Sequence, residues 1–215
     1  MVGAAVGAAM GGMRPIVEFQ FGDFLSVAID QLTHQAAMLR YLTGGQVSVP
    51  IVIRLPCGGG QGAGAQHSQA LYSWFAHVPG IKVALPATAA DAKGLMKSAI
   101  RDDNAVLFFE HKALYRTRWP VPAEYVDPDF LVPFGQAAVR RQGRDVTVVA
   151  TLAMLHHALA AAEEYRRILG PDGFYLEIQN HGTADEKLIV EGTLALAKRT
   201  GLKVVATNDC HYLDK

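Results

Sequence analysis

A β-branched apolar run at residues 49–55, VPIVIRL, passes directly into a glycine-rich loop at 56–65. A strand without alternation must be covered on both faces, which demands partners on either side of its sheet. The flanking segments supply them. Leu25, Ala28, Ile29, Leu32, Ala36 and Leu39 recur at helical spacing and predict an amphipathic helix over 23–41, stopped by Gly44-Gly45. After the loop come a helix over 68–77, a short strand over 81–85 ended by Pro86, and a helix running to about 101. Thr88 and Asp91 open that helix as a capping box, and Ala105–Phe109 reads as the next strand. Strands alternating with helices indicate an α/β fold, a parallel sheet with helices on both faces. Residues 1–12, mostly Gly and Ala, read as a small-residue helix that packs closely; no basic stretch precedes them, so a signal peptide is not expected.

Four prolines, Pro120, Pro122, Pro128 and Pro133, mark 116–133 as a linker. Beyond it the pattern is β-α-β-α-β: strand 145–151 (DVTVVAT), helix 154–168, strand 174–179 (FYLEIQ), helix 184–200 and strand 203–207. Thr183 with Glu186 caps the second of these helices, and Gly201 suits its left-handed stop. The expected organisation is therefore a domain at 1–115, a linker at 116–133 and a smaller α/β domain at 134–215. The formal net charge is zero and no Lys/Arg stripe occurs, which argues against nucleic acid as a partner. No apolar run nears the roughly 18 residues of a membrane span. Cys57 and Cys210 lie far apart and read as reduced thiols of a cytoplasmic protein.

The loop from Pro56 to Ser68 joins a strand to a helix, a setting in which backbone N–H groups can face an anion. No Lys-Ser/Thr follows the glycines, so it is not a nucleotide P-loop. A tight turn and an anion cradle both remain open. His67 ends the loop and could exchange a proton near neutral pH, or serve simply as a polar residue at a helix start.

The strings GAAMGGMRPIVEFQFGDF, AIDQLTHQAA, VPIVIRLPCGGG, GAQHSQALYSWFAHVPGIKV and PATAADAKGLMKSAIRDDNAVLFFEHKALY follow one another in order. Up to about residue 163 the chain resembles the beta subunit of the thiamine-diphosphate-dependent, decarboxylating component of pyruvate and related 2-oxo acid dehydrogenase complexes. The resemblance implies a transketolase-like pyrimidine-binding domain. An alpha subunit would hold the diphosphate and Mg²⁺, and the aminopyrimidine would lie where the subunits meet. It assigns Phe24 to packing on that ring, Gln20 to a position facing it, and His67 to positioning and protonating intermediates. It further implies a K⁺ site at the turn with oxygens of Ala99, Ile100, Asp102 and Asn104 as ligands; hard cations favour such oxygens. The family glutamate that hydrogen-bonds the aminopyrimidine lies upstream of the region matching residue 1. Glu18 belongs to another motif, so little turnover is expected of this chain.

After Glu164 the string resembling that family gives way to YRRILGPDGFYLEIQNHG and LALAKRTGLKVVATNDCHYL. These resemble the end of the polymerase-and-histidinol-phosphatase domain of bacterial replicative DNA polymerase alpha subunits. That resemblance implies metal ligands at Asp209 and His211, with His181 at a third position, although the histidine-rich N-terminal motifs are missing. His156 and His157 are consecutive, about 100° apart on a helix, and are not expected to chelate one ion. The expected function is that of a bacterial cytoplasmic beta subunit of a 2-oxo acid dehydrogenase, nearest the pyruvate or acetoin type, passing its product to lipoyl groups. Expected partners are the alpha subunit, a second beta subunit and the acyltransferase core. The alternatives are a metal-dependent phosphoesterase or polymerase fragment, and a non-catalytic chimera joined near residue 163.

Overall fold

A computed structural model describes residues 1–169 except 121, 144 and 145, together with 175–178, 203–206, 194, 195 and 198. The chain divides into two compact units: Met1–Ala138 with Ala150–His156, and Val139–Val149 with His157–Lys215.

The first unit is built on four parallel strands: β1 (Ile16–Glu18), β2 (Val52–Cys57), β3 (Ile81–Ala84) and β4 (Ala105–His111). Their order is β1-β2-β4-β3, with Ile16 facing Val52, Val52 facing Val106 and Ile81 facing Ala105. β2 and β4 are the central pair, which is why their runs are apolar without alternation. Ile53, Leu55, Leu107 and Phe109 point to one face, against α1 (Val2–Met10), the 22–36 helical segment and Phe75 of α3 (Tyr72–Ala76). Val52, Val106 and Phe108 point to the other, against Leu95, Met96, Ala99 and Ile100 of α4 (Ala89–Arg101). Phe75, Phe108 and Phe109 are fully buried, each contributing roughly 1.5–3 kcal/mol over an exposed ring. The capping box that opens α4 is present in full, Asp91 N donating to Thr88 Oγ1 and Thr88 N to Asp91 Oδ2, both at 3.1 Å.

The helix expected over 23–41 is instead one helical path wound at three pitches. Gly22–Ala28 is a 3₁₀ helix, Gln31–Ala36 a π-helix and Leu39–Leu42 a short α-helix, α2. At three residues per turn, Gly22, Leu25 and Ala28 fall on the inward edge, while Phe24 and Val27 are turned out. In the next stretch Ala37 N donates to Leu32 O, five residues back, at 2.9 Å, and Thr33 Oγ1 takes the carbonyl of Ile29 at 2.8 Å. A hydroxyl competing for that carbonyl loosens the α register. The inward positions were read correctly except Ile29, which is 39% exposed.

Other boundaries also moved. The three-residue strand β1 was not foreseen, and the helix expected over 68–77 shrinks to α3, preceded by a 3₁₀ turn at Ala65–His67. The segment read as a linker, 116–133, packs on α4. Lys93 Nζ donates to the carbonyls of Tyr125 and Asp127, and Ser98 Oγ to that of Val132. Proline-rich backbone has few donors of its own, so its carbonyls are taken up by side chains from the neighbouring helix.

In the second unit α5 (Leu152–Leu169, which begins in the first) continues from His157, and β5 (Tyr175–Ile178) pairs in parallel with β6 (Lys203–Ala206). The strand expected over 145–151 is not formed at 146–151: Val146, Val148 and Val149 are exposed, and no described strand pairs with them. β-propensity without a neighbouring edge makes no strand. The helix expected over 184–200 lies almost wholly outside the described residues.

Candidate functional site

Because all four strands are parallel, the segments leaving β1, β2 and β4 emerge on one edge, where α/β sheets place their ligands. Three pieces of chain meet there. The first carries Phe21, Asp23 and Phe24, the second the glycine-rich loop and His67, and the third Lys112.

The His67 ring lies edge-on to Phe21, with centroids 4.2 Å apart, and to Phe24 at 5.6 Å; the two phenyl rings are themselves 5.9 Å apart. Phe24 keeps 41% of its surface exposed. The 3₁₀ winding produces this: it buries Gly22 and Leu25 and leaves Phe24 facing outward. Gly22 has no room for a side chain, since a Cβ there would stand 2.9 Å from the Pro56 carbonyl oxygen. Gly58, at φ +84°, sits where a Cβ would meet the His111 ring. The loop therefore lies close on the strand ends.

Two charged residues are buried beneath the corner. Lys112 donates its ammonium to the His67 carbonyl and lies 5.5 Å from the Phe21 centroid, while Gln61 Nε2 donates to the Lys112 carbonyl at 2.9 Å. Asp23 Oδ1 accepts from the Gln69 amide at 3.2 Å. Burial pushes the Cys57 thiol, at the end of β2, up to about 12; Lys112 works against that rise. On the sheet's second face Glu18 pairs with Arg54 at 3.3 Å and Glu110 with the same arginine at 2.8 Å, so Glu18 is committed to a charge row. Burial and the neighbouring Glu110 raise the Tyr115 phenol, which donates to that carboxylate at 3.0 Å.

The structure thus brings Phe24 and His67 together. Gln20 is exposed just before Phe21, with no hydrogen-bond partner among the described residues. Phe21, Asp23, Gln61 and Lys112 were missed from sequence. Phe21 carried a weak signal, an aromatic alternating with Phe19. Lys112 carried none, because a lysine after a strand is ordinarily a solvated one.

The turn at 99–104 is occupied differently. Arg14 donates to the carbonyls of Ile100 at 3.0 Å and Asp102 at 2.9 Å, Arg40 to Asn104 Oδ1 at 2.8 Å, and the Asp102 amide to the Ala99 carbonyl at 3.3 Å. Lys82 pairs with the Asp102 carboxylate. The carbonyls of Ala99, Ile100 and Asp102 and the side-chain oxygen of Asn104 thus each accept a hydrogen bond from the chain. Asp209, His211 and His181 lie outside the described residues. His156 stacks on Trp119 at 4.3 Å and meets the Ala87 carbonyl at 2.6 Å, a packing role.

A model of the transketolase pyrimidine-binding domain matches residues 1–118. The chain is 47% identical over 178 residues to the rice (Oryza sativa subsp. japonica) mitochondrial pyruvate dehydrogenase E1 component subunit beta-2, covering 83% of this chain and 46% of that one. It is 41% identical over 210 residues to the 2-oxoisovalerate dehydrogenase subunit beta of Bacillus subtilis, covering 97% of this chain and 62% of that protein. This second match runs past residue 163, where the sequence suggested a change of family. The chain thus spans about half the length of the curated relatives it matches. A solved split-gene transketolase, an inactive beta4 tetramer, superposes with a TM-score of 0.57 at 20% identity, covering 99% of this chain and 72% of that one. At that identity the likeness is one of fold.

Proposed function

We propose that this chain, which belongs to the transketolase pyrimidine-binding-domain family, works as the beta side of a thiamine-diphosphate-dependent 2-oxo acid dehydrogenase. The observation that carries this reading is the outward face of Phe24 beside His67 at the carboxyl edge of the sheet. The His67 imidazole and the Phe21 ring both stand edge-on to Phe24. The exposed aromatic face and the closely seated loop fit an aminopyrimidine. Thiamine diphosphate, when bound, supplies the carbanion stabilisation that loss of CO₂ from a 2-oxo acid requires. Phe24 would orient the cofactor ring, His67 would hold or move a proton, and the apolar walls would exclude water. Pyruvate is the substrate we favour, with transfer to a lipoyl group. An alpha subunit would bring the diphosphate and Mg²⁺, a second beta subunit and the acyltransferase core would complete the assembly, and a bacterial cytoplasm would be the setting.

The test is to mix the chain with its cognate alpha subunit, Mg²⁺ and thiamine diphosphate, and follow complex size by light scattering and cofactor binding by tryptophan fluorescence. A stable hetero-complex is expected, with the cofactor bound about tenfold or more weakly by Phe24→Ala. Unchanged binding in that variant would sink the reading.

A second reading concerns 165–215 alone and rests on the strings FYLEIQNHG and VVATNDCHYL. There Asp209, His211 and His181 would be a remnant divalent-metal site of a phosphoesterase or polymerase domain. Stoichiometric Zn²⁺ or Mn²⁺ uptake lost on His211→Ala supports it, and absence of uptake dismisses it.

A further inference from the structure

We propose that Asp23 and Lys112 are a pair of positioning residues of opposite charge, clamping the His67–Gln69 turn against the aromatic corner. The proposal rests on the reading of Phe24 and His67 as cofactor-facing groups. Charged side chains are rarely more than nine-tenths buried unless something compensates them. Asp23 keeps 7% of its surface and Lys112 4%. Neither forms an ion pair with another described residue. Each instead grips a peptide group of the same short turn, Lys112 the carbonyl of His67 and Asp23 the amide of Gln69. The turn is tied further by the Gly58 amide, which donates to the Gln69 carbonyl at 3.3 Å, and by Gln61 on the Lys112 carbonyl.

The two charges are of opposite sign and bind the same turn. Both act on the Cys57 thiol, in opposite senses. Asp23 Oδ2 is buried and has no hydrogen-bond partner among the described residues, and the opposite charge held at the same turn is the Lys112 ammonium. The ammonium in turn lies against the Phe21 ring, whose face attracts a cation. Removing either charge leaves the other buried alone, whereas removing both leaves neither uncompensated. The clamp sets where the backbone of His67 runs, and through it how the imidazole stands to Phe21 and Phe24.

A double-mutant cycle in the chain bound to its alpha subunit tests this, with Asp23→Asn, Lys112→Met and the double variant. The readouts are hydrogen exchange of the 58–69 amides and the apparent Kd for thiamine diphosphate with Mg²⁺. Each single change is expected to speed local exchange and weaken the cofactor by about tenfold, and the double to be no worse than the worse single. Lys112→Arg, which keeps charge and donor, stays within about threefold of wild type. A merely structural role would loosen distant segments such as 43–47 equally, and the double would be no better than the sum. Additive losses overturn the proposal. If a single variant does not fold, the double still must, and its failure to fold also overturns the clamp. If the exchange cycle closes while the wild-type complex binds no thiamine diphosphate, the clamp stands and the cofactor assignment falls.

Discussion

The corner at the carboxyl edge and the turn after α4 are both places where a ligand was expected, and they are built on opposite plans. At the corner, the polar groups of the surrounding backbone are tied down from beneath by Asp23, Gln61 and Lys112, and an aromatic face is left outward. At the turn, the oxygens themselves are taken, two by a single guanidinium that comes from 86 and 88 residues away in the chain. A residue list names the groups a site could use. Whether they are free depends on which neighbours the fold delivers to them.

The comparison can be broken at the corner first, where the largest effect is expected. Gly58→Ala places a Cβ at positive φ against His111 and should lose roughly 2–4 kcal/mol in urea unfolding. A loss under about 0.5 kcal/mol would show that the loop is not tightly seated. Next is the thiol of Cys57, raised from 9.0 to about 12 chiefly by burial. In a Cys210→Ser background, alkylation at pH 8 should run at least about a hundredfold slower in the folded than in the urea-unfolded chain. The folded state holds this proton longer, so stability should decline as pH rises above the unfolded value; equal alkylation rates would place Cys57 outside a sealed core.

At the turn the effects are smaller. Arg14→Ala should cost about 1 kcal/mol at low salt and less at high salt, since its Asp103 partner is exposed. The same variant also sharpens the cation question. If its melting temperature is higher in KCl than in LiCl at equal ionic strength, while wild type shows no difference, Arg14 is what keeps K⁺ from these carbonyls. The smallest effect belongs to Asp102. Burial alone would raise its carboxyl, but hydrogen bonds from Lys82 and Asn104 outweigh burial and hold it below the ordinary range. Its stabilisation is present above the unfolded value of about 3.9 and is lost as pH falls through that toward the folded one. The melting difference between wild type and Asp102→Asn should therefore be modest at pH 7 and shrink as pH falls below about 3.9; a constant difference would assign it to packing.

Much of the first unit was legible because local chemistry and tertiary need agree there. The unbroken apolar runs of β2 and β4 announced a sheet covered on both faces, and Thr88 with Asp91 announced the start of α4. Where they disagree, the sequence misled. The 22–42 path kept its inward residues but not its pitch, because Gly22 must pass beside the Pro56 carbonyl and the 3₁₀ winding lets it. The valines of 146–149 have the propensity for a strand, but among the described residues no edge runs beside them.

The sequence by itself determined the family, the parallel α/β sheet, and the nomination of Phe24 and His67, all of which rest on residue types in order along the chain. Only the tertiary structure decided that Phe21 and a buried Lys112 join them, and that Arg14 and Arg40 stand on the oxygens implied for potassium. Each of these depends on contacts between residues 45 to 91 positions apart. Periodicity and motif spacing register only near neighbours, and a charge buried or bonded by a distant partner leaves no local mark.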